Sequence, residues 1–145
     1  MPSSFRCIVA IPTRALFQGE IYYAEVPGSE GSYGVMAGHE MLVSTNRPGI
    51  LTLWLDPEGK QKKYFVTYGG FAQCFGDQLS VLARMGRNGD DIDVEDTRKK
   101  LAKINQTIDE LERSNKETDA AVLETSRVRK EWYELQLHAV GADRQ

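Results

Sequence analysis

Only two cysteines, Cys7 and Cys74, occur in 145 residues, and each lies in an apolar stretch with no second Cys or His nearby in sequence. That excludes a disulfide-stapled scaffold and a Cys-rich metal site, and it predicts two buried free thiols. A disulfide between them would require their strands to be neighbours. Histidine is equally scarce, with His39 and His138 alone. No apolar run approaches bilayer-crossing length, and the opening MPSSFRCIVAIPTRALF lacks the charged start and unbroken apolar core of a secretory signal. The expectation is an intracellular or peripheral protein. A basic excess is missing too: the net charge of -3 and pI near 5.4 argue against nucleic acid as a partner, because neutralising phosphates needs a basic surface.

The charges present are unevenly spread. They occupy 16 of the first 90 positions and 23 of the last 55, which divides the chain into two modules, 1–90 and 91–145. The first is punctuated by PGSEG, RPG, DPEG, YGG, FGD and RNGDD, with short apolar runs between them. That rhythm predicts strands joined by turns, in FRCIVAI, EIYYAEV, MLVST, GILTLWL, KKYFVTY, GFAQCF and QLSVLA. In ILTLWL both parities are rich in apolar residues, so both faces are expected to be covered. A β-sandwich or barrel follows, with no helix-period segment before residue 90.

Beyond RNGDD the period changes. Thr97, Leu101, Ile104, Ile108 and Leu111 recur at spacings of four and three, which predicts a helix with a narrow apolar stripe and Asp93 as its N-cap. After a turn around RSNKETD, Ala121, Thr125, Val128, Trp132, Leu135 and Ala139 predict a second helix, stopped by Gly141. Two such helices of about 20 residues form an antiparallel hairpin about 30 Å long. Its stripes are thin, so its closed form is held by a small margin.

No catalytic constellation stands out. Gly28, Gly31 and Gly34 lack the Lys-Ser or Lys-Thr and the following helix of a phosphate loop, and read instead as glycines allowing positive φ in tight turns. His39 reads as a loop histidine contacting backbone or a partner, and His138 as a helix-end residue. Asp90, Asp91, Asp93, Glu95 and Asp96 lack the glycine and distal glutamate of a calcium loop and read as a capped helix entrance, so no metal is expected.

These residues together carry a resemblance. VPGSEGSYGVMAGHEML with RPGIL, then YFVTYGGFAQCFGDQLSVLA, then NGDDID opening a helical hairpin resembles the epsilon subunit of bacterial F-type ATP synthase over nearly the whole chain. The resemblance implies an α+β architecture: a ten-stranded β-sandwich followed by a two-helix hairpin. It implies a non-catalytic rotor subunit of the central stalk, at the cytoplasmic face of the plasma membrane and touching the membrane only through the complex. Residues 1–90 would bind the gamma subunit and the c ring during proton-driven ATP synthesis. Residues 91–145 would reach the alpha and beta subunits when extended, and inhibit ATP hydrolysis.

The resemblance also implies residue roles. The c-ring contact would comprise Glu30, Gly31, Ser32, His39 and Glu40, although many relatives are acidic at the position of Ser32. Arg98, Lys99, Lys100, Arg127, Arg129 and Lys130 would approach beta and gamma; read alone, they form a solvated helix face with pairs such as Glu95 to Lys99. An ATP site in some relatives maps onto Ile92, Asp93 and Lys103, but Asp96 stands where their arginine stands. A carboxylate repels a triphosphate, and Arg98 lies about 200° further around the helix, so weak or no ATP binding is expected, and no cofactor. Two readings from other classes fit the residues alone: a stand-alone adaptor, and a small-molecule binder sensing nucleotide.

Overall fold

Alternation shapes the first part of the chain. In β1 (Phe5–Ile11) Phe5, Cys7 and Val9 are buried while Arg6 between them is exposed, so one face of the strand looks inward. The same logic runs through β2 (Arg14–Ile21), β3 (Tyr23–Gly28), β4 (Gly31–Val35), β5 (Leu42–Thr45), β6 (Gly49–Trp54), β7 (Lys62–Tyr68), β8 (Phe71–Phe75), β9 (Gln78–Leu82) and β10 (Met85–Asn88). This computed structural model describes residues 3–114 and 116–141.

The ten strands form two five-stranded sheets. One has the order β2-β1-β9-β8-β5 and the other β10-β7-β6-β3-β4. All pairs are antiparallel except β1 with β9, which run parallel from Arg6 opposite Gln78 to Ala10 opposite Leu82. The interior between the sheets is a single cluster that includes Ile21, Val26, Val35, Leu51, Leu53, Phe65, Leu79 and Val81, all completely buried. The Phe17 ring meets Phe65 edge-on at 6.1 Å between centroids, the favoured geometry for an aromatic pair. The α+β sandwich-then-hairpin architecture is therefore the one present.

Several strands differ from the sequence reading. EIYYAEV is not one strand: the chain bends at Tyr22, whose N–H donates to the Trp54 carbonyl at 2.9 Å, and passes from the first sheet to the second. The buried parity shifts there, from Ile21 to Ala24 and Val26, but the unbroken run through Tyr22 and Tyr23 hides the shift from a reading of the sequence. β2, β4 and β10 escaped notice because RALFQGEI, GSYGV and MGRN are poor in β-branched residues. In β6, Leu51 and Leu53 are fully buried whereas Ile50, Thr52 and Trp54 are half-buried. Next to it, consecutive Phe65, Val66 and Thr67 are all buried, so β7 is shielded on both faces.

Cys7 and Cys74 are free and buried as expected. Both lie in register with Leu79 of the intervening strand. Two strand spacings of about 4.8 Å keep their Cα atoms near 10 Å apart, beyond disulfide reach.

The chain divides into two compact units, Met1–Asp91 and Ile92–Gln145. In the second, Asp93 caps α1 (Val94–Ser114): its Oδ1 accepts from the Asp96 N–H at 3.0 Å, and its carbonyl accepts from the Thr97 N–H and hydroxyl. α2 (Ala120–Ala139) ends at Gly141, whose φ of 73° and N–H bond to the His138 carbonyl form the predicted stop. The two helices pack as an antiparallel hairpin, tied near the turn by Arg127 to Glu112 at 3.2 Å. In α1 the predicted stripe is the inward one, with Thr97 and Ile108 buried. In α2 the predicted stripe is inward only in part: Val128, Trp132, Leu135 and Ala139 are half-buried and Ala121 and Thr125 exposed, while Ser126, Gln136 and Leu137 are buried. Small and polar residues on that face hid it from a search for apolar recurrence.

Candidate docking surfaces

The glycine-rich stretch forms a hairpin. β3 and β4 pair with Gly28 opposite Gly31, leaving Ser29 and Glu30 as a two-residue tip. Gly31 has the left-handed backbone, φ 132°, that the sequence reading assigned to the whole set. Gly28 and Gly34 do not. A Cβ on Gly28 would lie 2.9 Å from the Tyr33 ring, and one on Gly34 would lie 2.6 Å from the Tyr23 hydroxyl. Each glycine thus makes room for a tyrosine lying diagonally across the strand pair.

The tip is stitched to the end of β5, in the other sheet. The Ser29 N–H donates to the Thr45 carbonyl at 2.9 Å, and the Thr45 hydroxyl donates to Ser29 Oγ at 3.0 Å. Tyr33 and Ser44 share a hydroxyl–hydroxyl bond; burial pushes the Tyr33 phenol up, and that bond partly offsets the push. Together these groups line an open cleft of about 670 Å³ containing Glu30, Gly31 and His39. Three of the five predicted ring-contact residues therefore share one cleft. The other two flank it in sequence. Ser32 is exposed and accepts from Arg47 Nη2 at 3.3 Å; exposed Glu40 offers its carbonyl to His39 Nδ1 at 2.8 Å, the backbone contact expected of that histidine.

Sequence reasoning missed Arg47, Ser44 and Thr45, which arrive from 11 to 16 positions away. It also missed a set of exposed apolar side chains on either side of His39 in sequence. Met36, Met41 and Val43 are 63%, 73% and 68% exposed. A second apolar surface lies on the outer face of the β1-containing sheet, where β8 inverts the usual order: Ala72 and Cys74 are buried, and Phe71 and Phe75 point outward. Phe71 sits opposite exposed Leu82. The signal was present in FAQCF, since a strand with aromatics on one parity and small residues on the other must expose one set.

On the hairpin, Arg98 and Lys99 are exposed on the first turns of α1, and Lys100 pairs with Asp96 at 3.0 Å, one residue on from the anticipated pair. Arg127 holds Glu112, Arg129 is exposed and Lys130 is half-buried. Ile92, Asp93 and Lys103 do not converge. The Asp93 side chain is spent on the cap, and Lys103 lies ten residues on, about 15 Å along the axis. Among the described residues no group of three or more His, Cys, Asp or Glu is arranged to hold a metal, and no helix is long and apolar enough to cross a membrane.

Comparison with known proteins agrees with the fold. Residues 4–87 match the family described as ATP synthase, Delta/Epsilon chain, beta-sandwich domain. The ATP synthase epsilon chain of Rhodopseudomonas palustris (strain TIE-1) is 34% identical over 122 residues, covering 81% of this chain and 88% of the relative. That of Brucella anthropi is 30% identical over 122 residues, covering 84% and 89%. Among solved structures, a chain in the Euglena gracilis mitochondrial ATP synthase (OSCP/F1/c-ring, rotational state 1) shares the fold with a TM-score of 0.73 at 24% identity, covering 97% of this chain and 83% of that one. A match over more than half the sequence, with relatives of the same name aligned across most of their length, leaves one assignment: this chain belongs to the ATP synthase epsilon chain family.

Proposed function

We propose that this chain is a non-catalytic rotor subunit that joins the gamma subunit to the c ring in an F-type ATP synthase, and that its hairpin restrains ATP hydrolysis. The inverted alternation of β8 carries the coupling half. Phe71, Phe75 and Leu82 are 39%, 61% and 39% exposed on a sheet whose other face packs into the core, and exposed apolar area of that kind marks a protein contact. In this reading the gamma subunit covers that face, and the cleft edge at Glu30, Gly31, Ser32, His39 and Glu40 meets the ring. The central-stalk and c-ring assembly of Tetrahymena thermophila, which contains a chain of related fold (TM-score 0.50, 10% identity, covering 59% of this chain and 67% of that one), supports such an arrangement. In this reading the complex that contains this chain sits at the cytoplasmic face of a bacterial plasma membrane.

The regulatory half rests on the hairpin. Of its described residues only Thr97, Ile108, Ser126, Gln136 and Leu137 are buried, and three of these are polar. A seam this thin opens at modest cost, freeing Arg98, Lys99, Lys100, Arg127, Arg129 and Lys130 to meet acidic segments of beta or gamma. ATP binds weakly or not at all in this reading, because a carboxylate, Asp96, stands where the motif has an arginine, and the Asp93 side chain is occupied by the helix cap. Capture of gamma by the full chain tests the coupling role, and failure to capture it sinks that role. Deleting residues 91–145 from the assembled enzyme should raise its ATP hydrolysis; unchanged hydrolysis removes the regulatory role and leaves coupling intact. Calorimetry of the full chain should detect no micromolar ATP binding.

A further inference from the structure

The three most exposed large apolar side chains among the described residues, Met41, Val43 and Met36, all fall between positions 36 and 43. The segment is held in shape. The His39 N–H donates to the Met36 carbonyl at 3.1 Å, closing a four-residue turn whose third position, Gly38, has φ 83° as a type II turn requires. The histidine is fixed in turn by Nδ1 donating to the Glu40 carbonyl. Two thioethers are thereby presented to solvent on either side of His39, which lines the cleft that also contains Glu30. Of the other two methionines, Met85 is half-buried in β10 and Met1 lies outside the described residues.

We propose that Met36 and Met41 are a hydroperoxide-sensitive modification site whose oxidation loosens the docking edge from the c ring. The inference rests on the docking reading above. A thioether contributes to such a contact by leaving water for a packed surface, with no charge to be screened. A hydroperoxide converts it in one balanced step: a sulfur lone pair attacks the terminal peroxide oxygen, the S–O bond forms as O–O breaks, and the departing hydroxide or alkoxide takes the proton from the transferred oxygen. Sulfur loses two electrons, the peroxide gains them, and the products are a sulfoxide and water or an alcohol. The sulfoxide is strongly polar, so covering it by the partner forfeits hydration that nothing in an apolar contact replaces. Sulfoxide reductases reverse the step.

The experiment uses the full chain, c ring purified from the source organism in detergent, and graded hydrogen peroxide. Peptide mass spectrometry should find oxygen added to Met36 and Met41 before Met85. Affinity for the ring should fall about tenfold on oxidation and return after treatment with MsrA and MsrB. A Met36→Leu/Met41→Leu variant should bind the ring with an affinity that peroxide leaves unchanged, whatever that starting affinity is. Equal affinity of oxidised and untreated wild type overturns the inference, as does Met85 reacting first or the double variant losing affinity to the same degree. Absence of ring binding by the untreated wild type sinks the docking reading itself and takes the inference with it.

Discussion

The sandwich and the hairpin differ in what they bury. Fourteen apolar residues fill the space between the two sheets, most without any exposure, whereas the described part of the hairpin buries two, Ile108 and Leu137. The sheets therefore hold themselves together by removing a large apolar surface from water, and the helices lean on caps, short ion pairs and a polar seam. Under the proposed function, a body that transmits torque benefits from the first construction and an arm that lets go benefits from the second.

That contrast can be broken or sharpened by measurement. The largest effect concerns the thiols. Cys7 and Cys74 should react with an alkylating agent at least about a thousandfold more slowly in the folded chain than in denaturant, because reaction requires the sandwich to open. Burial also pushes the Cys7 thiol from its ordinary 9.0 to about 12. The folded chain thus keeps a proton that the unfolded chain releases. The associated stability is complete below pH 9 and drains away as pH rises towards 12, which denaturation across that range should reveal.

Next, Phe65→Ala should cost the sandwich about 3–5 kcal/mol in urea unfolding, since it empties a fully buried site between the sheets. Ile108→Ala should cost the hairpin about 2 kcal/mol and speed amide exchange in the helices while leaving the strands protected; equal loss of protection in both would contradict separate construction. Smallest of all, Asp93→Ala removes the α1 cap and should lower helical stability by about 1 kcal/mol, read as faster exchange at Asp96 and Thr97.

Much of this division was legible in the sequence, because turn residues punctuate the first 90 positions and a period of about 3.6 takes over from Asp93. What escaped was spatial. The corner at Tyr22 falls inside an unbroken run of apolar and aromatic residues, so one apparent strand served two sheets. The inward face of α2 is built on Ser126 and Gln136, which a hydrophobicity pattern does not register. In the β3–β4 hairpin, the reason read for the glycines was half wrong: two of the three yield space to tyrosine rings and do not turn the chain. Arg47, Ser44 and Thr45 reach the hairpin tip only because the chain crosses between sheets there, a juxtaposition that spacing cannot encode.

The lone parallel pairing has a consequence for how the chain is born. Arg6 meets Gln78, 72 positions later, so the amino-terminal strand has one edge without a mate until β9 has emerged. During translation the early strands wait with greasy surfaces uncovered, and contacts this remote in sequence close slowly. The ribosome must deliver residue 82 before the base can set, whereas α1 and α2, whose bonds are local, can wind as soon as they appear.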